Sequence, residues 1–247
     1  MSGSAAHTLH HGEPTLGESR RQLLAIAQEL HARGWVANHD GNVSLRLPAH
    51  RLLATPTALS KRVLTEADLI VLDRDDRVIH GGRRAFSELK LHRTVFDARP
   101  DVQAVVHCHS PSATALAIAG IAVEPRILAE AVVSLGDSVP LLPYRFPGSA
   151  DQAADLRAAA GSSDAVTLGN HGVLTWGDDL EQAFLRAELV EHLATIQLRV
   201  LQLSAGLAGS ALKLVPPADV ERLLEARTKA GLGPKARLLK APPARTR

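Results

Sequence analysis

Residues 105–109 read Val-Val-His-Cys-His, an apolar stretch that is followed at once by Ser110-Pro111. A short apolar run bounded by turn residues is typical of a buried strand. Side chains two positions apart on a strand point to the same face, so His107 and His109 project together. Two imidazoles on one face are a common beginning of a metal site. Cys108 then points to the opposite face, where core packing is its expected role.

A third histidine stands in a tight turn farther along the chain. His171 belongs to Gly169-Asn170-His171-Gly172, between strands expected at Val166–Leu168 and Val173–Trp176. Glycines beside it would let the backbone approach another part of the protein closely. The chain has 12 histidines, however, and buried histidines satisfied by hydrogen bonds would explain all three. These residues alone therefore leave the metal site as one of two interpretations.

Short strands and helices interleave on both sides of residues 105–109. Because several strand pairs are joined by short turns, the pattern predicts a mixed sheet with helices on both faces. Further strands are expected at Asn42–Leu47, Leu52–Ala54, Leu69–Leu72, Val78-Ile79 and Pro140–Leu142. Helices are expected from Glu18 to about Gly34, from an N-cap at Ser87 to about Ala98, and at Ser112–Ala119, Ile127–Ser134, Asp151–Ala160, Leu180–Leu203 and Pro216–Ala230. On the long helix, the pattern directs Glu181, Glu188 and Glu191 toward solvent.

Composition bounds the class of protein. The 247 residues are 45% hydrophobic and 22% charged, which suits one large globular domain. We expect a flexible leader over residues 1–17, a catalytic domain over 18–215 and a basic, proline-rich C-terminal extension over 216–247. The net charge is only +2 and aromatic residues make up 3%, so nucleic-acid binding is not expected despite the basic end.

The sequence also bears on the compartment of the protein and on membrane insertion. With one cysteine, an intrachain disulfide is impossible, and nothing indicates secretion. The N-terminus lacks the pattern of a signal peptide, and no apolar run approaches the roughly 20 residues that a membrane span needs. The sequence therefore predicts a cytoplasmic protein without a membrane partner.

Four segments together resemble the class II aldolase/adducin family. They match it in order, and the 19-residue separation of Glu88 from His107 also matches. The resemblance runs from about Glu18 to Leu203. Its segments are Gly41-Asn42-Val43-Ser44-Leu45-Arg46, Thr55-Pro56-Thr57, Ser87-Glu88 through His107-Cys108-His109, and Asn170-His171-Gly172-Val173.

The resemblance implies an α/β fold, a three-layer α/β/α domain with a mixed, largely antiparallel central sheet. It also implies a homotetramer with active sites between subunits. His107, His109 and His171 would be ligands of one divalent metal ion per chain. Glu88 would be the fourth ligand at rest and the acid/base when substrate displaces it. Zinc suits three imidazoles and an open position, and manganese or cobalt could replace it.

For activity, the resemblance implies a metal-dependent lyase. It would cleave a short-chain hydroxy-ketone or sugar phosphate by a reversible retro-aldol step through a metal-stabilised enediolate. A dehydratase or decarboxylase using the same metal site is the alternative among enzymes. A non-catalytic scaffold, as in adducin, is the alternative from another class. Retention of all three histidines with Glu88 argues against the scaffold, which needs no metal site.

The predicted substrate-binding residues match the family pattern incompletely. Asn42, Thr57 and Ser87 stand where the sugar-phosphate aldolases surround a phosphate with hydrogen-bond donors. Ala58 replaces a glycine of that pattern and Phe86 replaces its first serine. The added methyl group and the lost hydroxyl leave open whether the substrate carries phosphate, carboxylate or no anion.

Two further positions have open interpretations. Lys61 and Arg62 could restore positive charge near the altered loop, or they could form a solvated turn. Leu128 stands where the aldolase pattern has a proton-donating tyrosine, and the single tyrosine, Tyr144, lies in another expected loop. Glu130 is a candidate acid/base, as in the dehydratase branch, or an exposed helix residue.

Overall fold

The structure is a computed structural model that describes residues 15–206 and 212–234. Within them, one sheet lies between two layers of helices. Its strands are β1 (Asn42–Leu47), β2 (Arg51–Ala54), β3 (Ile70–Leu72), β4 (Val78–His80), β5 (Ala104–Cys108), β6 (Leu141–Leu142), β7 (Ala165–Leu168) and β8 (Gly172–Gly177). The helices are α1 (Leu16–Ala32), α2 (Leu89–Ala98), α3 (Pro111–Ile118), α4 (Ala129–Leu135), α5 (Ala150–Ala160), α6 (Leu180–Gly206) and α7 (Pro217–Lys229).

The sheet is mixed and mostly antiparallel, as predicted. Its strand order is β4-β3-β2-β1-β5-β8-β7-β6, and only the β6–β7 pair is parallel. Tight turns join β1 to β2, β3 to β4 and β7 to β8, and they explain the antiparallel pairing of these three pairs. In the β3–β4 turn, for example, the Asp73 carboxylate accepts hydrogen bonds from the backbone nitrogens of Asp75 and Arg77. The central strand β5 pairs with β1 on one side and β8 on the other.

Alternation along β5 divides the core into two parts. Val106 and Cys108 pack in the cluster formed with α1, α3, α4 and α6. Val105 packs in the opposite cluster, which is formed with α2 and α5. The prediction that Cys108 packs in the core is confirmed, and burial raises the pKa of its thiol to about 12. Because His107 alternates with Cys108, it lies on the α2 side of the sheet.

Two helix starts differ from the predictions. Helix α1 begins at Leu16, because Thr15 and Glu18 form a capping box that brings the last residues of the expected leader into the helix. The predicted N-cap at Ser87 is wrong, because α2 begins at Leu89 after Glu88, and Ser87 is exposed. The Glu88 carboxylate does not cap α2 either, since its hydrogen bonds go to residues outside that helix.

The predicted orientation of one residue on α6 is also wrong. Glu191 was expected to face solvent, but it is only 8% exposed. Its carboxylate accepts hydrogen bonds from the backbone nitrogens of Ser112 and Ala113 at the start of α3. A buried carboxylate is tolerated here because the first N–H groups of a helix need acceptors.

Helix α7 packs against α4 through an arginine. Arg227 is 5% exposed, and it donates to Asp164 and to the backbone oxygen of Val133. Residues 1–14 of the expected leader and residues 235–247 of the expected extension lie outside the described residues, so the division into three regions stays a prediction. None of the described helices is long and apolar enough to span a bilayer.

Candidate metal centre

The three histidines converge at one end of the central strands. His107 lies in β5, and His109 follows one residue after that strand ends. His171 lies in the turn between β7 and β8, where the left-handed backbone of Asn170 (φ 54°) reverses the chain. Gly172 permits the approach, since an added Cβ would stand 2.4 Å from the Cys108 oxygen and 2.7 Å from His109 Cδ2.

Glu88 completes the group from the other layer. It immediately precedes α2, which covers the face of the sheet on which His107 lies. Its Oε1 atom is 2.7 Å from His171 Nε2 and 3.5 Å from His107 Nε2. The Nε2 atoms of His107 and His109 are 3.1 Å apart. One ligand atom from each of the four residues lies within 4.8 Å of the others, so the group could hold one divalent metal ion.

The hydrogen bond on the far side of the His107 ring sets its tautomer. Nδ1 lies 2.8 Å from the Val173 backbone oxygen, and a carbonyl can only accept. Nδ1 therefore carries a proton, and Nε2, which faces Glu88, is the nitrogen left for a metal ion. A ring held in this way by a backbone carbonyl is the usual support of a metal-binding histidine. Three nitrogens and one carboxylate oxygen are a donor set that fits zinc.

The electrostatics favour the protonation states that bind metal. Burial alone would raise the pKa of the Glu88 carboxyl. The charge of His107 and hydrogen bonds with His107, His171 and Asn42 outweigh burial and lower that pKa well below its usual range. Burial, aided by His107 and His171, lowers the pKa of His109 to about 4. An ionised carboxylate beside a neutral imidazole is the state in which both donate lone pairs.

A buried chain of hydrogen bonds extends from Glu88 into the protein. The Asn42 Nδ2 atom donates to Glu88 Oε2 over 2.7 Å. Asn42 Oδ1 is 2.8 Å from His92 Nε2, and His92 Nδ1 is 2.6 Å from Ser44 Oγ. His92 is fully buried, and burial lowers the pKa of its ring to about 3. Sequence reasoning missed His92, although it lies one helical turn after Glu88 and so on the same side of α2.

The predicted substrate-binding residues occupy different environments. Asn42 is 4% exposed, and its amide already contacts Glu88 and His92. Thr57 is half-buried and Ser87 is exposed next to Glu88. Ala58 has φ 54°, so the loop keeps the left-handed conformation that favours glycine. Phe86 packs in the core edge-on to His92, with ring centroids 4.9 Å apart.

The burial of Lys61 decides whether Lys61 and Arg62 form a solvated turn. It is only 2% exposed, so a solvated turn describes Arg62 but not Lys61. Its Nζ atom donates to the His39 backbone oxygen over 2.8 Å. Burial lowers the pKa of Lys61 to about 8, although Asp40 and Glu88 act in the opposite direction. A buried positive charge therefore lies in the electrostatic reach of the Glu88 carboxylate.

The candidate proton donors are separate from the four-residue group in a single chain. Glu130 is exposed in the first turn of α4, and Leu128 packs against the core just before it. Tyr144 is 59% exposed, and it lines a cleft that extends to His171. The structure thus brings together His107, His109, His171 and Glu88, and it does not bring Glu130 to them.

A family model and two similar proteins all assign the chain to one family. Residues 21–198 match the model of the class II aldolase and adducin N-terminal domain. The chain is 33% identical over 192 residues to a methylthioribulose-1-phosphate dehydratase of Acidiphilium cryptum, covering 74% of this chain and 90% of that protein. It is 30% identical over 211 residues to a 5-deoxy-D-ribulose 1-phosphate aldolase of Bacillus thuringiensis, covering 84% and 94%.

A solved structure is similar to the fold of this chain. A putative aldolase/epimerase/decarboxylase from Escherichia coli superimposes with a TM-score of 0.73 and 28% sequence identity. The superposition covers 83% of this chain and 97% of that one. The similarity therefore extends through the sheet and the helices that carry the four converging residues.

Proposed function

This chain belongs to the class II aldolase and adducin N-terminal domain family, and on that premise we propose that it is a metal-dependent lyase. Its reaction is a reversible retro-aldol cleavage of a small hydroxylated ketone or ketose phosphate. The observation that carries the proposal is the convergence of one ligand atom from each of three histidines and from Glu88 within 4.8 Å. A non-catalytic scaffold has no use for that convergence.

The four residues have distinct tasks in this proposal. His107, His109 and His171 hold the metal, which is most simply zinc given three nitrogen donors. When bound, the ion supplies Lewis acidity that polarises the substrate carbonyl and stabilises negative charge on its oxygens. Glu88 would be the fourth residue that holds the ion and would act as the general base toward bound substrate. Only the ionised form of a carboxylate can accept a proton, and the lowered pKa of Glu88 keeps it in that form.

The substrate contacts are proposals of the same kind. Ser87 precedes Glu88 directly, and the backbone nitrogen of Thr57 donates to the Arg84 oxygen in the same loop. Together with the backbone around Ala58, these residues would bind the end of the substrate away from the carbonyl. Two relatives named above act on five-carbon ketose 1-phosphates or their methylthio derivatives, which supports a ketose 1-phosphate. By family analogy the working protein is a homotetramer, in which Glu130 of a neighbouring chain could serve as a second acid/base.

A dehydratase is the second candidate. The observation that favours it is the 33% identity to the Acidiphilium cryptum enzyme over 74% of this chain. The metal ligands and Glu88 would have the same tasks, but the bond that breaks would be carbon–oxygen. Decarboxylation of a 3-oxo acid would use the same polarised carbonyl and is distinguished by release of carbon dioxide.

Metal content and reaction products test the proposal. Purified protein should contain about one divalent ion per chain by elemental analysis. The protein is then incubated with dihydroxyacetone phosphate, dihydroxyacetone or pyruvate and a panel of aldehydes. A new carbon–carbon bond, detected by NMR, is the expected result. 5-Deoxy-D-ribulose 1-phosphate and methylthioribulose 1-phosphate, supplied separately, should reveal cleavage or loss of water.

Matched variants make the test specific. Glu88→Gln and His171→Ala should lose turnover, whereas His80→Ala, which alters an exposed histidine at the sheet edge, should keep it. A metal-free protein that gains nothing from added zinc, manganese or cobalt would refute the proposal. Water loss without carbon–carbon cleavage would replace the lyase by the dehydratase.

A further inference from the structure

The side chains of Ser44, His92, Asn42 and Glu88 form a linear relay across two layers of the fold. Ser44 and Asn42 lie two positions apart on β1, so they share the face that α2 covers. His92 reaches this face from α2, one helical turn after Glu88. The three contacts measure 2.6, 2.8 and 2.7 Å from Ser44 to Glu88. Ser44 and His92 are fully buried, and water has little access to compete for their atoms.

The donors and acceptors of the relay have one consistent arrangement. Glu88 Oε2 accepts, so the Asn42 atom beside it must be the amide nitrogen. Asn42 Oδ1 then faces His92, and an amide oxygen can only accept. His92 Nε2 therefore donates, its Nδ1 is unprotonated, and Ser44 Oγ donates to it. The imidazole thus supplies the donor that holds the Asn42 amide oxygen in this arrangement.

We propose that His92 is a positioning residue for Glu88, acting through the orientation of the Asn42 amide. The inference rests on the proposed metal-binding role of Glu88. A reversed amide would point its oxygen at the carboxylate, and two acceptors in contact repel each other. The His92 N–H opposes the reversal, because a reversed amide would face it with a second donor unless the imidazole proton moved to Nδ1 and the Ser44 hydroxyl turned to accept it. Glu88 Oε2 is thereby tied to Asn42, and Oε1 is left toward His171 and His107.

The surroundings of His92 explain a departure from the family pattern. Phe86, which stands where the pattern has a serine, packs edge-on against the His92 ring at 4.9 Å. The ring of Phe86 is 6% exposed and belongs to the core cluster beneath α2. It helps to bury the imidazole, which is fully shielded from solvent. The substitution therefore contributes to the relay that holds Glu88.

Cobalt binding to the full-length protein provides the test. Co²⁺ affinity is measured by competition with a chromogenic chelator, and the visible spectrum of the bound ion reports its coordination geometry. His92→Leu should weaken Co²⁺ binding roughly tenfold to a hundredfold and alter the spectrum, as loss of support behind a ligand does. His92→Gln, which can still donate to Asn42 Oδ1, should retain most of the affinity. Ser44→Ala probes the other end and should weaken binding in the same direction.

A double-mutant cycle separates positioning from a purely structural effect. In a Glu88→Ala background, His92→Leu should have no further effect on Co²⁺ affinity, because the residue through which it acts is gone. Thr94→Val is the matched control, since it removes a buried hydrogen bond within α2 that does not touch the relay. It should leave affinity and spectrum unchanged.

The possible results distinguish a failure of the His92 inference from a failure of the proposed metal site. Wild-type affinity and spectrum in His92→Leu would overturn the inference while leaving the metal site intact. The same holds if His92→Leu weakens binding equally with and without Glu88, or if His92→Gln is as weak as His92→Leu. Failure of the wild-type protein to bind Co²⁺ or zinc would instead refute the proposed metal site, and the inference would fall with it.

Discussion

The Oε1 atom of Glu191 on α6 lies 2.9 Å from the backbone nitrogen of Ser112 in the first turn of α3. The second carboxylate oxygen accepts from Ala113 over the same distance. Helix α3 begins two residues after His109, so this long-range cap holds the chain just beyond the candidate metal centre. The first turn of a helix has N–H groups without partners, and a carboxylate also complements the helix dipole there.

Removing that cap should destabilise the protein measurably. Glu191→Ala is expected to lower the free energy of unfolding by about 2 kcal/mol, because two buried N–H groups lose a charged acceptor. Urea denaturation monitored by circular dichroism measures the loss. Glu188→Ala on the same helix removes only an exposed pair with Arg33 and should cost less than about 1 kcal/mol. Equal losses in the two variants would contradict the assigned role of Glu191.

Gly172 should tolerate no side chain. An alanine Cβ would stand 2.4 Å from the Cys108 backbone oxygen, which belongs to the neighbouring strand and cannot move alone. Gly172→Ala is expected to lower the melting temperature and to weaken zinc binding, because His109 must shift as well. Calorimetry with and without zinc measures both effects. Gly82→Ala, where nothing lies within 4 Å, is the control and should change neither.

Arg227 should be the main attachment of α7. Arg227→Met removes a guanidinium that contacts Asp164 and the backbone oxygens of Val133 and Ser134 in the last turn of α4. Asp164 keeps ion pairs with Arg99 and Arg186 in this variant. We therefore expect the free energy of unfolding to fall by about 3 kcal/mol, which is the lower end of the range for a broken buried ion pair. Limited proteolysis should cut α7 sooner. Arg222→Ala, on an 82% exposed side chain, should resemble wild type in both measurements.

Lys61 should make the free energy of unfolding depend on pH in the alkaline range. Burial lowers the pKa of Lys61 to about 8, below the usual lysine value of 10.5. Between these values the unfolded chain binds more protons than the folded one, so the contribution of Lys61 to the free energy of unfolding rises with pH. Wild type should therefore gain stability relative to Lys61→Met from about pH 8 to 10.5. Denaturation at several pH values tests this, and Arg62→Met, which alters an exposed neighbour, should give a flat difference.

Local patterns were enough for much of the fold. Period-two alternation and turn residues predicted the strands and the mixed sheet, and the sequence pattern predicted α1 through α7 within a few residues. The expected same-face placement of His107 and His109 follows from strand geometry alone, and their rings lie 4.9 Å apart. Errors occurred where a distant partner decided the outcome, as at Glu191 and at the start of α2.

Neighbouring residues alone were enough to predict the element types and the His107–His109 pair. Four motifs in the right order were enough to predict the family. The tertiary structure decided which distant groups meet. His171 lies 83 residues from Glu88 and Asn42 lies 46 from it, and only strand register and the packing of α2 on the sheet bring them together. His92 and Lys61 acquired their importance in the same way. Burial and hydrogen bonding depend on contacts between elements, and local periodicity carries no information about those contacts.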